Sequence, residues 1–175
     1  MWQKYKAVNN ILVKFGNILA GILIGFNIAI IGLEIFLRNL LHTSTEMSDE
    51  LSGYSLVAIL FLGAAQTLQN NGMVRVKILL NRLSKEIKKI IDIPIYILTF
   101  VFILILLINL IKFVLVSYQY GQLSGSWLHT PLWIPQSTMV IGLVLILMQL
   151  FSEFVDNIID LKNYFFNANR NEEHE

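Results

Sequence analysis

Few side chains in this sequence could carry out chemistry, and their spacing argues against catalysis. Its three histidines, His42, His129 and His174, lie far apart, and it contains no cysteine. Haem ligation in a membrane needs histidines that face each other within helices, and a metal centre needs clustered ligands. Neither a glycine-rich phosphate loop nor a serine nucleophile elbow occurs. We therefore predict no catalytic residue, no cofactor and no metal site, and we interpret the protein as a non-enzyme.

Glu34 is an acidic residue at the end of a long apolar run, near one membrane surface. A carboxylate within a membrane span is by default a candidate ligand for a proton or a cation. Arg38, however, follows four residues later, in the order that favours an ion pair along a helix. We expect a structural ion pair between Glu34 and Arg38. The alternative is that Glu34 lines a pore.

Asp49 and Glu50 stand at the start of the next apolar run. Negative charge in the first turn of a helix is stabilised by the helix dipole and by the free backbone N–H groups there. Helix capping therefore accounts for this acidic pair without any chemistry.

The elements that position these residues are membrane helices. The chain of 175 residues is 55% hydrophobic and 14% charged, whereas about 25% is typical of globular domains. Four runs of about 18 to 21 residues lack any Asp, Glu, Lys or Arg, and each is long enough to cross a hydrocarbon core of about 30 Å. We predict an all-α membrane protein that forms a single domain over residues 1–175. Its four transmembrane helices are expected at about 13–38, 49–69, 91–117 and 134–159, and a polar tail at 162–175.

The segment 76–90, between the second and third spans, has apolar residues at helical spacing with cations between them. A helix of this kind lies in the membrane interface and directs its cations toward anionic lipid headgroups. Nucleic-acid binding is disfavoured, because the patch is short, lacks interleaved aromatics and is tied to a bilayer. The predicted headgroup contacts are Lys77, Arg82, Lys85, Lys88 and Lys89.

The distribution of cations predicts the orientation. Of the 13 Lys and Arg residues, all except Arg38 and Lys112 lie in the N-terminal segment, the 70–90 connector or the tail. The positive-inside rule therefore places both termini in the cytoplasm, with two short outer loops.

Small residues recur on one face of the first span at Gly21, Gly25 and Ala29, and the second span contains Gly63 and Ala64. Small residues four apart let another helix backbone approach closely. We predict that these five residues pack against another helix, either as an interface with a partner subunit or within this chain.

Several short motifs, in this order along the chain, resemble the small membrane subunit, or DctQ-like component, of tripartite ATP-independent periplasmic (TRAP) transporters. The resemblance extends from about residue 30 to 145. It rests on Ile35-Phe36-Leu37-Arg38, Asp49-Glu50-Leu51-Ser52-Gly53-Tyr54, Phe61-Leu62-Gly63-Ala64-Ala65, Val74-Arg75-Val76, Leu132-Trp133-Ile134-Pro135 and Gly142.

The resemblance implies a bacterial inner-membrane complex with two protein partners. One is a large membrane subunit that carries the substrate and sodium sites, and the other is a periplasmic binding protein that delivers an organic acid. This chain would brace the large subunit without handling solute. The outer loops would contribute a docking surface for the binding protein, with Glu46, Asp49, Glu50, Trp127 and Trp133 as the candidate residues. The alternative from a different class is a self-contained homo-oligomeric channel or exporter.

Overall fold

The computed structural model describes residues 2–44, 47–70 and 85–172, and within them the chain is almost entirely helical. Each of the four helices contains a segment long and apolar enough to cross a membrane. The predicted all-α membrane fold with four transmembrane helices is therefore confirmed. The helices are α1 (Trp2–Leu41), α2 (Met47–Gln69), α3 (Lys85–Gln119) and α4 (Trp133–Glu172).

The observed helices contain the predicted spans and extend beyond them. With 40 residues each, α1 and α4 are about 60 Å long at about 1.5 Å per residue, about twice the thickness of the hydrocarbon core. Their ends therefore extend beyond the apolar layer. Residues 76–84 of the predicted interfacial helix lie outside the described residues, and residues 85–90 form the first turns of α3.

Three of the helices share one core. α1, α2 and α4 pack against each other, whereas α3 packs chiefly against α4 at the edge of the group. The buried hydrophobic side chains are small or aliphatic: Val13, Ala20, Ala58, Leu62, Ala65, Leu68, Leu143, Leu145, Ile146 and Leu150. The arrangement is thus an open group of helices rather than a closed four-helix bundle.

Two glycines allow the three core helices to approach closely. A Cβ atom added at Gly142 of α4 would lie 2.6 Å from the carbonyl carbon, carbonyl oxygen and Cβ of Phe61 in α2. A Cβ added at Gly16 of α1 would lie 3.2 Å from the carbonyl oxygen of Leu62 and 3.1 Å from Cδ1 of Leu145. Lipid chains are as apolar as the helix surfaces, so close packing of this kind is what holds membrane helices together.

The helices run alternately up and down, which gives the molecule two ends. At the termini end, Lys6 of α1 forms an ion pair with Asp156 of α4 at 2.6 Å, and Gln69 at the end of α2 donates a hydrogen bond to Asn10. The loop end carries the connector between α1 and α2 and the connector between α3 and α4. Residues of the candidate docking surface lie at this end.

We expect Gly142→Ala to destabilise the protein, because its methyl group would meet the backbone of Phe61, which cannot move aside without shifting α2. Overpacking of this kind costs about 1–3 kcal/mol. Gly32→Ala is the matched control, since nothing lies within 4 Å of a Cβ at that position in α1. The measurement is the thermal inactivation temperature of each purified variant in detergent. Equal temperatures for the two variants would contradict the close crossing.

Candidate functional site

Glu34 and Arg38 form an ion pair at the loop end of α1. The Glu34 side chain is buried, and Nε of Arg38 donates to its Oε1 at 2.9 Å. Ser44 in the following turn also donates to Oε1 at 2.6 Å, while Nη2 of Arg38 donates to the Ser44 hydroxyl at 3.2 Å. The chain reverses at His42, whose φ of 51° is the left-handed conformation common just after a helix end. The carboxylate therefore fastens the α1–α2 connector to α1.

The connector between α3 and α4 is folded, although it contains no charged Asp, Glu, Lys or Arg side chain from 118 to 132. Leu123 and Pro131 form an antiparallel bridge, and the N–H of Ser124 donates to the carbonyl of Thr130 at 2.9 Å. Gly121 supplies a positive φ of 55° at the first bend. Backbone hydrogen bonds therefore give this loop a defined shape.

Glu50 joins this connector to α2. Its Oε1 accepts a hydrogen bond from the Tyr54 hydroxyl at 2.7 Å, and its Oε2 accepts one from the hydroxyl of Ser126. The Ser126 hydroxyl also pairs with that of Ser124, which is buried. A carboxylate that accepts from two hydroxyl groups on different elements holds those elements together more strongly than a neutral acceptor would.

The two acidic residues at the start of α2 differ in their exposure and in their contacts. The side chain of Asp49 is exposed, whereas that of Glu50 is only partly exposed and is committed to the connector. Because adjacent residues on a helix point about 100° apart, neighbouring carboxylates can have separate roles. Asp49 is the one that remains available to a partner at the loop end.

Aromatic side chains project from the same end. Trp127, at the tip of the α3–α4 connector, is 78% exposed, and Tyr120 is 77% exposed. Trp133 packs edge-to-face on Tyr118 with ring centroids 5.7 Å apart. Asp49, Trp127 and Trp133 therefore lie on the loop end of the molecule, which we call the loop-end surface. Glu46, also predicted for this surface, lies outside the described residues.

The predicted small-residue interface falls on an open groove between α1 and α2. Gly21, Gly63 and Ala64 line this α1–α2 groove together with Asn17 and Ala20. Gly25 and Ala29 continue the exposed face of α1 toward the loop end, and a Cβ atom added at Gly21 or Gly25 would meet nothing within 4 Å. Gly21, Gly25 and Ala29 therefore leave a surface free. Gly63 and Ala64 are half-buried and also pack within the chain, where a Cβ added at Gly63 would lie 3.9 Å from Cβ of Ala20.

The predicted headgroup contacts are described only in part. Lys77 and Arg82 lie outside the described residues, and Lys85, Lys88 and Lys89 belong to the first turns of α3. Within the ranges 2–44, 47–70 and 85–172, no group of three or more metal-ligating side chains is placed to hold an ion.

Sequence reasoning missed a polar network near the termini end. Asn9, on α1, donates from Nδ2 to Oε1 of Gln149 at 2.7 Å, and both side chains are buried. Gln149 donates in turn to Glu153 at 3.2 Å, and the Tyr96 hydroxyl of α3 donates to the other oxygen of Glu153 at 3.3 Å. The network links α1, α4 and α3. Gln149 is a polar residue within an apolar run of the sequence, but nothing in the sequence points to its partner 140 positions away.

Comparison with known proteins gives one family match. Residues 27–159 match the family model described as "Tripartite ATP-independent periplasmic transporters, DctQ component". The matched segment includes Glu34, Arg38, the acidic pair of α2, the α3–α4 connector and Gly142. No curated protein matches the chain.

We expect Glu50→Gln to loosen the α3–α4 connector, because the neutral amide removes the charge from both hydroxyl contacts and leaves one acceptor oxygen. The readout is maleimide labelling of Gly125→Cys, a position with open space around it in a protein without native cysteines. Labelling should be several-fold faster with Glu50→Gln than without it. Asp49→Asn, which removes the neighbouring charge, should leave the rate unchanged. Equal effects of the two substitutions would contradict the assignment.

Proposed function

The chain belongs to the DctQ component family of tripartite ATP-independent periplasmic transporters, and we propose that it braces the large membrane subunit during sodium-coupled uptake of an organic acid. The observation that carries this proposal is the family match over residues 27–159, about three quarters of the chain. The family identifies the protein as the small membrane component of a TRAP transporter. Sodium coupling, the acid and the bracing role are the proposed part.

The internal packing supports a bracing role. The hydrophobic residues that α1, α2 and α4 bury between them are small or aliphatic, and the buried polar side chains of Asn9 and Gln149 hydrogen-bond to each other, which suits helix packing rather than passage of a charged solute. At least two surfaces of the described helices remain open, namely the α1–α2 groove and most of α3. A subunit that works by contact needs such surfaces, because its partners cover them in the assembly.

The proposed contact with the large subunit is the α1–α2 groove and the adjoining face of α1, with Gly21, Gly25, Ala29, Gly63 and Ala64. Transmembrane helices associate where small residues allow their backbones to approach. The groove has this character: a Cβ added at Gly21 would meet nothing within 4 Å, and one added at Gly63 would make only an ordinary contact with Cβ of Ala20 at 3.9 Å.

The alternative function, a homo-oligomeric channel or exporter, requires a polar group free to line a pore. Glu34 was the candidate for that role. Its carboxylate accepts hydrogen bonds from both Arg38 and Ser44, so it already has partners within its own connector. The contacts of Glu34 therefore favour the subunit role over the channel.

We propose further that the loop-end surface contributes to docking of the periplasmic binding protein through Asp49, Trp127 and Trp133. Glu46, which precedes Asp49 in the sequence, is a further candidate, and Glu50 shapes the connector. Aromatic residues are enriched at protein contact sites, where aromatic anchors supply much of the binding energy. An exposed carboxylate at the rim of such a site steers a partner of opposite charge.

The proposed setting is the bacterial inner membrane, with both termini in the cytoplasm. The cations Lys77, Arg82, Lys85, Lys88 and Lys89 would then face anionic lipid on the cytoplasmic side. The loop end would face the periplasm, where the binding protein approaches.

Deletion of this chain should abolish uptake of the transported acid, and re-expression should restore it. Gly21→Leu, which fills the α1–α2 groove, should reduce co-purification of the large subunit and uptake together. Gly53→Leu is the control, because it adds the same bulk at an exposed glycine outside the groove. Co-purification is measured by affinity capture of this chain. Undiminished uptake in the deletion strain would contradict the proposed function, and full assembly with Gly21→Leu would contradict the groove alone.

Asp49→Lys should raise several-fold the concentration of loaded binding protein that gives half-maximal uptake, since it reverses an exposed charge at the loop end. The effect should shrink as ionic strength rises, because surface charges are screened over about 8–10 Å at physiological salt. Lys162→Glu, an opposite reversal on exposed α4 at the termini end, should change nothing. Identical kinetics for wild type and Asp49→Lys, with assembly intact, would limit Asp49 to its place at the start of α2.

A further inference from the structure

Helix α3 has two faces of different character. Tyr96, Phe100, Ile103, Leu107 and Leu110 lie on one face and pack toward the core, as expected for side chains at helical spacing. The opposite face, which we call the free face, is exposed along its whole length. It consists of Leu98, Phe102, Ile105, Asn109, Lys112 and Val116, spaced by three or four residues.

Polarity changes along the free face in one direction. Leu98, Phe102 and Ile105 are 74%, 65% and 55% exposed and form an apolar strip. Asn109 follows toward the loop end, and Lys112 lies about 5 Å beyond it along the helix axis. The helix ends at Gln119, about 10 Å beyond Lys112, and the exposed rings of Tyr118 and Tyr120 stand there. The order is therefore hydrocarbon, amide, ammonium and aromatic rings.

The two polar side chains on this face have capacity left for a ligand. Asn109 is exposed, and its Nδ2 donates to the carbonyl of Ile105 at 2.9 Å, which uses one of its two N–H groups. Lys112 is exposed, and the ion pairs found among the described residues do not include it. A lysine in this position can extend toward the headgroup layer and present its charge there.

We propose that the free face of α3 binds an anionic phospholipid of the loop-side leaflet. The Lys112 ammonium contacts the lipid phosphate, the remaining N–H of Asn109 donates to an ester carbonyl, and one acyl chain lies along Leu98, Phe102 and Ile105. The charge of Lys112 matches the phosphate. The sequence of groups along the helix also matches the sequence of groups along a phospholipid.

A transmembrane helix fits this face less well. Close helix–helix contacts in membranes need small residues, and the free face has bulky side chains where the α1–α2 groove has Gly21, Gly63 and Ala64. An acyl chain adapts to a bulky, uneven surface without close backbone contact. This lipid site requires only a membrane-embedded α3 and is independent of the transported solute.

Native mass spectrometry of the protein, purified in its assembly and exchanged into phosphatidylglycerol, tests the proposal. Lys112→Gln should lower retention of one phosphatidylglycerol per chain about fivefold, the effect expected of one basic residue at an anionic membrane surface. Lys112→Arg should retain the lipid. Lys14→Gln, which removes an exposed lysine of α1, should not lower it, and in phosphatidylcholine wild type and Lys112→Gln should be alike.

Three results would overturn the proposal. Equal retention by wild type and Lys112→Gln would show that Lys112 holds no lipid. An equal loss with Lys14→Gln would show a general charge effect rather than a site. Loss of a protein partner with Lys112→Gln, and no change in bound lipid, would mean that a partner helix occupies the face. Uptake measured on the same variants separates these results from a failure of the transport role, since a lipid site can persist in a protein that does not support uptake.

Discussion

The fold depends on the close crossing of α2 and α4 at Gly142. Lipid offers no hydrophobic driving force between apolar helices, so their association relies on contact distance and on a few buried hydrogen bonds. The missing side chain at Gly142 lets α4 rest on the backbone of Phe61, and Gly16 lets α1 approach the adjacent Leu62. All three core helices therefore meet within one turn of α2.

Two surfaces outside this crossing, the α1–α2 groove and the free face of α3, differ in chemistry. The difference suits one surface to a partner helix and the other to lipid. The lining of the α1–α2 groove includes Ala20, Gly21, Gly63 and Ala64, small residues of the kind that admit a second helix backbone. The free face of α3 is bulky and apolar, with an amide and an ammonium near one end. The proposed bracing role would use both kinds of surface, because one side would contact the larger subunit and another would face lipid.

Polar side chains cluster toward the two ends of the molecule, where water and lipid headgroups can solvate charged groups. At the loop end, Glu34 and Glu50 each fasten a connector to a helix, through Ser44 in one case and Ser126 in the other. Both carboxylates serve the shape of the loop end. The exposed Asp49 and the exposed Trp127 then stand on a surface whose form is already set, which lowers the conformational cost of binding a partner.

The amino-acid sequence by itself determined the four spans, because burial in a bilayer depends on the length and polarity of a continuous segment. It also determined the Glu34–Arg38 pair, since residues four apart are neighbours on any helix. Only the tertiary structure decided that Glu50 contacts the α3–α4 connector while Asp49 stays exposed. It also decided that Gln149 accepts a hydrogen bond from Asn9 and that α3 lies at the edge of the helix group. These outcomes depend on how far each helix is rotated about its axis and where the helices cross. Close packing at Gly142 and Gly16 sets those quantities, and no local pattern in the sequence encodes them.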